Sequence, residues 1–184
     1  MYEKLHALAR GLDSLAELTG RLIAWLTLGT VLITFAVVVL RYVFQTGSIA
    51  LQESISYLHA AVFMLGAAYT LKHDGHVRVD IFYRALTPRG KAWINLLGTL
   101  LLLTPVCAFI LYSSWEYVAV SWSMREASQE AGGLDAVFLL KTAIPLMAAL
   151  LLLQGLSMVL HSILLLAGWR PDTDSGTAGL DREL

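Results

Sequence analysis

The sequence predicts an all-α integral membrane protein, with four transmembrane helices, accompanying amphipathic interfacial helices, and both termini in the cytoplasm. Three observations carry that prediction. The 184 residues are 57% hydrophobic and only 15% charged, with a mean hydropathy of +0.66, far above what a soluble domain of this length requires. The apolar residues fall into four runs long enough to cross a hydrocarbon core of about 30 Å. The basic residues gather on one side of those runs. A formal net charge of −1 leaves no electrostatic footprint for nucleic acid.

The first run, Leu22 to Leu40, reads LIAWLTLGTVLITFAVVVL and is bracketed by Arg21 and Arg41. A second span, 54–71, lies between Glu53 and Lys72. The third, 93–115, follows Thr87-Pro88, an N-cap with proline at the first helical position, and its periodicity continues through Trp122 beyond the bilayer. The fourth, 138–167, follows Gly132-Gly133 and a candidate cap at Asp135, and stops before Gly168. Pro145 is expected to kink it near its outer end.

Residues 1–168 therefore read as a single four-helix membrane domain. Residues 1–20 place Leu5, Leu8, Leu12 and Leu15 opposite Lys4, Arg10 and Asp13, which predicts a short amphipathic helix lying on the cytoplasmic membrane surface. Val77, Ile81, Phe82 and Leu86 predict a second such helix. The alternation from Val77 to Ile81 also suits a strand, but an open strand edge is costly against lipid, and the helix is favoured. The acidic residues Glu3, Asp13 and Glu17 argue against a cleaved secretory leader. The tail 169–184, with PDTDSGTAGLDREL at its end, has a disordered composition.

Orientation follows from Lys and Arg. With the N-terminus inside, ten of the thirteen lie on inside segments, five of them (Lys72, Arg78, Arg84, Arg89, Lys91) between spans two and three. Arg41, Arg125 and Lys141 remain outside. Tyr112, Trp115, Tyr117 and Trp122 then sit at and beyond the outer interface, with Trp93 and Trp169 at the inner one.

Chemistry-bearing side chains are sparse, and no catalytic residues are assigned. Cys107 is the lone cysteine, so neither an internal disulfide nor a multi-cysteine metal site is available. His59 and His161 are the candidates for an alternative reading, a small four-helix redox protein binding haem. Counted from the span ends, their depths differ by roughly 9 Å, a poor match for two ligands of one haem, and interhelical hydrogen bonding by each is preferred. His73, Asp74, His76 and Asp80 have metal-ligand chemistry, but among five cations they read as a solvated, salt-bridged loop, and no metal is assigned. Glu53 and Glu116 map near the outer interface, where pairing with a partner helix or with Arg41 is expected of them in preference to proton relay. Gln154, near the middle of span four, is expected to hydrogen-bond to another helix. The two halves of the chain show no convincing similarity, so a complete substrate path is not expected.

The run LGAAYTLKHDGHVRVDIFYRAL, Leu65 to Leu86, resembles the signature of the small membrane subunit of tripartite ATP-independent periplasmic (TRAP) transporters, the DctQ-like family. The matching elements are the Gly-Ala stretch ending span two and His76, Arg78, Val79 and Asp80 entering the loop. Gln52-Glu53 resembles the acidic position ahead of that span. Trp122, Glu126, Ser128, Gly132-Gly133-Leu134, Lys141, Pro145 and Gln154 extend the resemblance over about residues 20 to 168. It implies a non-enzymatic permease subunit of a bacterial or archaeal cytoplasmic membrane, with no cofactor of its own. A large TRAP membrane subunit would hold the sodium and substrate sites, and a periplasmic substrate-binding protein would deliver an organic acid. On that resemblance, His76, Arg78 and Asp80 are the family motif, and the basic loop anchors to anionic membrane lipids. Glu53, Trp122, Glu126, Lys141 and Gln154 are candidate contacts to the partner subunit. Arg125 and Glu130, on the connection 121–135, are candidates for docking the binding protein.

Overall fold

The computed structural model describes residues 1–76, 83 and 85–169. Its elements are helices α1 (Tyr2–Tyr42), α2 (Ile49–Leu65), α3 (Ala67–Lys72), α4 (Pro88–Gly98), a π-helical segment (Thr99–Leu103), α5 (Thr104–Met124) and α6 (Val137–Leu166). In sequence they form four helical rods, each long and apolar enough to cross a membrane, with α2–α3 and α4–α5 each acting as one rod. The candidate spans 22–40, 54–71, 93–115 and 138–167 fall one to each rod. The second amphipathic helix, the motif residues Arg78 and Asp80 and the tail from Arg170 onward lie outside the described residues.

The N-terminal twenty residues are not a separate surface helix. They are the first turns of α1, which runs unbroken for 41 residues, about 62 Å at the α-helical rise. No proline interrupts it. Leu8 and Leu15 are exposed, as a lipid-facing stripe requires, whereas Ala9 and Ala16 are buried against the bundle. Between helices in lipid, close approach of small residues and polar bonding outweigh the burial of leucine, because lipid tails are as apolar as leucine itself.

The same rule builds the rest of the bundle. Buried positions recur seven apart as Ala9, Ala16 and Ile23 on α1, Cys107 and Ser114 on α5, and Ala148, Gly155 and Ser162 on α6. A seven-residue repeat keeps one face of a helix turned toward its neighbour. Helix α6 lies at the centre and touches α1, α2, α3, α4, the π segment and α5. Gly155 is a point of close approach to the π segment: a Cβ there would stand 3.0 Å from Leu103 Cδ2 and 3.1 Å from Thr99 Cγ2. The π turn sits directly before Pro105, whose missing N–H and bulky ring disfavour an uninterrupted α-helical register. The Thr104 hydroxyl donates to the Thr99 carbonyl at 2.9 Å within this turn.

The ends are set by local chemistry. The Thr87 side chain accepts from Gly90 N at 3.2 Å, with Pro88 opening α4 as the sequence predicts. Gly168, at φ +74, closes α6 in a Schellman turn, with Trp169 N donating to Leu164 O and Gly168 N to Leu165 O, each at 3.1 Å. Asp135 does not cap α6. Ala136 holds the cap position without a side-chain bond, and Val137 N donates instead to the Glu126 carbonyl at 3.1 Å, so the folded connection satisfies the orphan donor. Helix α6 runs unbroken past Pro145.

Gly20 marks the contact of α1 with α3, where a Cβ would overlap the Tyr69 ring. Gly20→Ala is expected to destabilise the chain by about 1–3 kcal/mol through overpacking, measured as a loss of thermal stability in mild detergent. Adding Tyr69→Ala should restore part of that loss, since it removes the obstructing ring.

Candidate functional site: inter-helix ties at both ends of the bundle

At the end of the bundle where α5 turns into α6, the connection folds back onto α2. The Glu53 carboxylate accepts from Leu134 N at 2.7 Å and from the Ser128 hydroxyl. Gly133 makes room for this, because a Cβ there would stand 2.6 Å from Ser128 Cβ and 2.8 Å from Glu53 Oε1. Backbone bonds from Ser128 N to Leu134 O and from Gly133 N to Glu130 O, each 3.0 Å, close the turn. One step deeper, Glu126 Oε2 accepts from Lys141 Nζ at 2.5 Å and from Ser121 Oγ at 2.7 Å. Lys141 also lies 4.0 Å from the centre of the Tyr117 ring, a cation–π contact. Trp122 Nε1 donates to Thr142 Oγ1 at 2.8 Å, and its ring meets Phe138 edge to face. Helices α2, α5 and α6 are thereby held by one set of polar contacts.

At the opposite, basic end, Asp13 points from α1 into α6. Its Oδ1 accepts from Ser157 Oγ at 2.6 Å and Gln154 Nε2 at 3.0 Å, and its Oδ2 accepts from His161 Nε2 at 2.9 Å. One turn along α1, Glu17 pairs with Lys72 at 2.7 Å and Arg21 at 3.0 Å, with His73 Nε2 at 3.4 Å. His73 Nδ1 donates to the Tyr69 carbonyl at 3.0 Å. This second set joins α1 to α3 and α6.

The sequence that builds these helices is similar to that of known proteins. Residues 30–165 match the family model for tripartite ATP-independent periplasmic transporters, DctQ component. This chain belongs to the DctQ family. A Haemophilus influenzae protein provisionally named a TRAP transporter small permease protein is 31% identical over 84 residues, 46% of this chain and 52% of the relative. The aligned stretch thus spans about half the length of that relative. No solved structure matches significantly. The chain is a multi-pass protein of the bacterial cytoplasmic membrane and a component of a transporter family.

The DctQ fold brings Glu53, Trp122, Glu126 and Lys141 into one cluster and sends Gln154 to the other. All five, read in sequence as contacts to a partner subunit, make bonds within the chain. Glu53 bonds to the Ser128–Leu134 connection, not to Arg41. Arg125 and Glu130 stand exposed beside the first cluster. Arg125 holds a left-handed conformation, φ +46, at the α5 C-terminus, while Glu126 N donates to Ser121 O at 3.0 Å. His76 is exposed just beyond α3.

The two histidines of the haem alternative lie far apart. His161 is level with Asp13 on α1, whereas Leu58, adjacent to His59, lies beside Gly29 of α1, where a Cβ would stand 3.8 Å from Leu58 Cδ1. Sixteen residues of continuous helix separate Asp13 from Gly29, about 24 Å, in place of the roughly 9 Å counted from span ends. His161 binds Asp13, and His59 stacks on Phe63, so one haem cannot join them. Sequence reasoning missed Asp13, Glu17, Ser157 and Tyr69 as ties. A signal was present, since Asp13, Glu17 and Gly20 share one helical face with Ala9 and Ala16.

Glu126 is held below the ordinary glutamate range, first by the hydrogen bond from Lys141 and then by that from Ser121, against a smaller opposing effect of burial. A carboxyl lowered in the folded state adds stability that is complete above its unfolded value, near 4.5, and is lost as pH falls through the folded value. Glu126→Gln is therefore expected to melt below the parent at neutral pH. The gap should close in acid, as followed by thermal denaturation across a pH series.

Proposed function

We propose that this chain is the static small subunit of a TRAP transporter, bracing a large polytopic subunit that takes up an organic acid with sodium. In this reading the large subunit holds the sodium and substrate sites, and a soluble periplasmic protein delivers the substrate. The observation that carries it is the use of the inward charges. Asp13, Glu17, Glu53 and Glu126 each hold one helix or connection against another. A carboxylate fixed by two or three donors is suited to rigidity, because removing any partner leaves a polar group short of bonds in an apolar setting. Ties at both ends suit a body that stays still while another moves. The broad exposed apolar surface, including Trp25, Phe35, Phe109 and Trp115, supports contact with lipid and a membrane partner.

The proposed topology has both termini in the cytoplasm and the Gly-Gly connection in the periplasm, in line with the distribution of Lys and Arg. Arg125 and Glu130 would then face an arriving binding protein, where exposed charge steers encounter.

Affinity purification of the tagged full chain from its native membrane should recover a stoichiometric polytopic partner with many more spans; recovery of the chain alone would overturn the subunit reading. Glu53→Ala should lower both thermal stability and uptake. Arg125→Gly separates docking from folding, since glycine adopts the left-handed conformation freely. Its stability should match or exceed the parent's, while uptake falls; unchanged uptake in an Arg125→Gly, Glu130→Lys chain would remove docking from the proposal.

A further inference from the structure

An open groove of about 650 Å³ runs along the side of the bundle at its basic end, lined by Leu71, Asn95, Gly98, Leu102, Val106 and Met158. We infer that this groove is a binding site for one anionic phospholipid, with an acyl chain lying over Gly98 and Leu102 and the phosphate on Lys91.

The residues along one stripe of the α4 rod change character in the order a phospholipid does. Lys91, Asn95, Gly98 and Leu102 stand 4, 3 and 4 residues apart and so share one helical face. Lys91 Nζ lies 5.3 Å from the centre of the Tyr83 ring and has no carboxylate partner among the described residues. About 6 Å further along the rise, Asn95 Oδ1 accepts from the Tyr83 hydroxyl at 3.2 Å. In the proposed pose the Asn95 amide and the Tyr83 hydroxyl lie between the phosphate and the acyl chain, where the ester linkages fall. Beyond Asn95 the lining is apolar, apart from Thr99, as far as Val106, about 22 Å from Lys91.

Two features hold the groove open. A Cβ at Gly98 would meet nothing within 4 Å, so the rod's wall is recessed there. The adjoining π segment bends the rod's register where it meets Gly155. The volume is within the range of small-molecule sites, and the groove opens sideways, as entry from a bilayer requires. The charge picks the lipid class: a juxtamembrane lysine favours an anionic headgroup.

The test is native mass spectrometry of the full chain, purified in mild detergent with whatever partner stays bound, after adding equal phosphatidylglycerol and phosphatidylcholine. The parent should retain one lipid, phosphatidylglycerol over phosphatidylcholine. Gly98→Phe should lose that adduct by filling the recess, while Gly11→Phe, at another position with open space at its Cβ, should keep it. Lys91→Gln should lower the preference for phosphatidylglycerol about five-fold, the equivalent of one cation near a membrane surface. Should Gly98→Phe fail to fold, Lys91→Gln decides the question by that ratio alone. An unchanged ratio in Lys91→Gln, or loss of a protein partner rather than a lipid in Gly98→Phe, overturns the proposal.

Discussion

The Asp13 carboxylate, held by Ser157, Gln154 and His161, ties the long first helix to the last across the whole chain. A carboxylate among apolar helices is costly unless donors surround it. That requirement fixes the rotation of α1 and turns Ala9 and Ala16 inward and Leu8 and Leu15 outward. With α1 so rotated, Glu17 reaches Lys72 and Gly20 receives the Tyr69 ring. The two neighbouring helices are then in register.

The same economy governs the other end. Glu53 gathers the Ser128 hydroxyl and the Leu134 amide, while Glu126 gathers Ser121 and Lys141. Because the connection between α5 and α6 is built on α2, neither helix can shift without breaking a charge-assisted bond. Such bonds are shorter and stronger than neutral ones. Gly133 is indispensable to that geometry for a steric reason, since any side chain would occupy the space of Ser128. Family membership places this braced bundle in a transporter family.

Small residues and a deliberate irregularity complete the packing. Gly155 lets α6 meet the π turn at Thr99 and Leu103, and Pro105 makes the turn favourable at that place. An apolar groove forms beside the same irregularity. One local departure from α-helical register thus serves both close contact and a recess.

The sequence by itself determined four spans, the Thr87-Pro88 start of α4, the Gly168 stop of α6 and the family, because apolar runs, caps and local motifs act over a few residues. Gln154 was legible as an interhelical hydrogen-bonding residue for the same reason: a buried amide needs a partner. Its partner was not legible, since Asp13 lies 141 positions away and periodicity cannot say which face of an amphipathic segment turns inward. In water the leucine face would; in a bilayer the small-residue face does, because lipid already satisfies leucine. Only the tertiary structure made residues 1–20 part of α1, moved Glu53 from Arg41 to the Ser128–Leu134 connection, and set His59 and His161 apart. Each of those outcomes depends on which helices become neighbours.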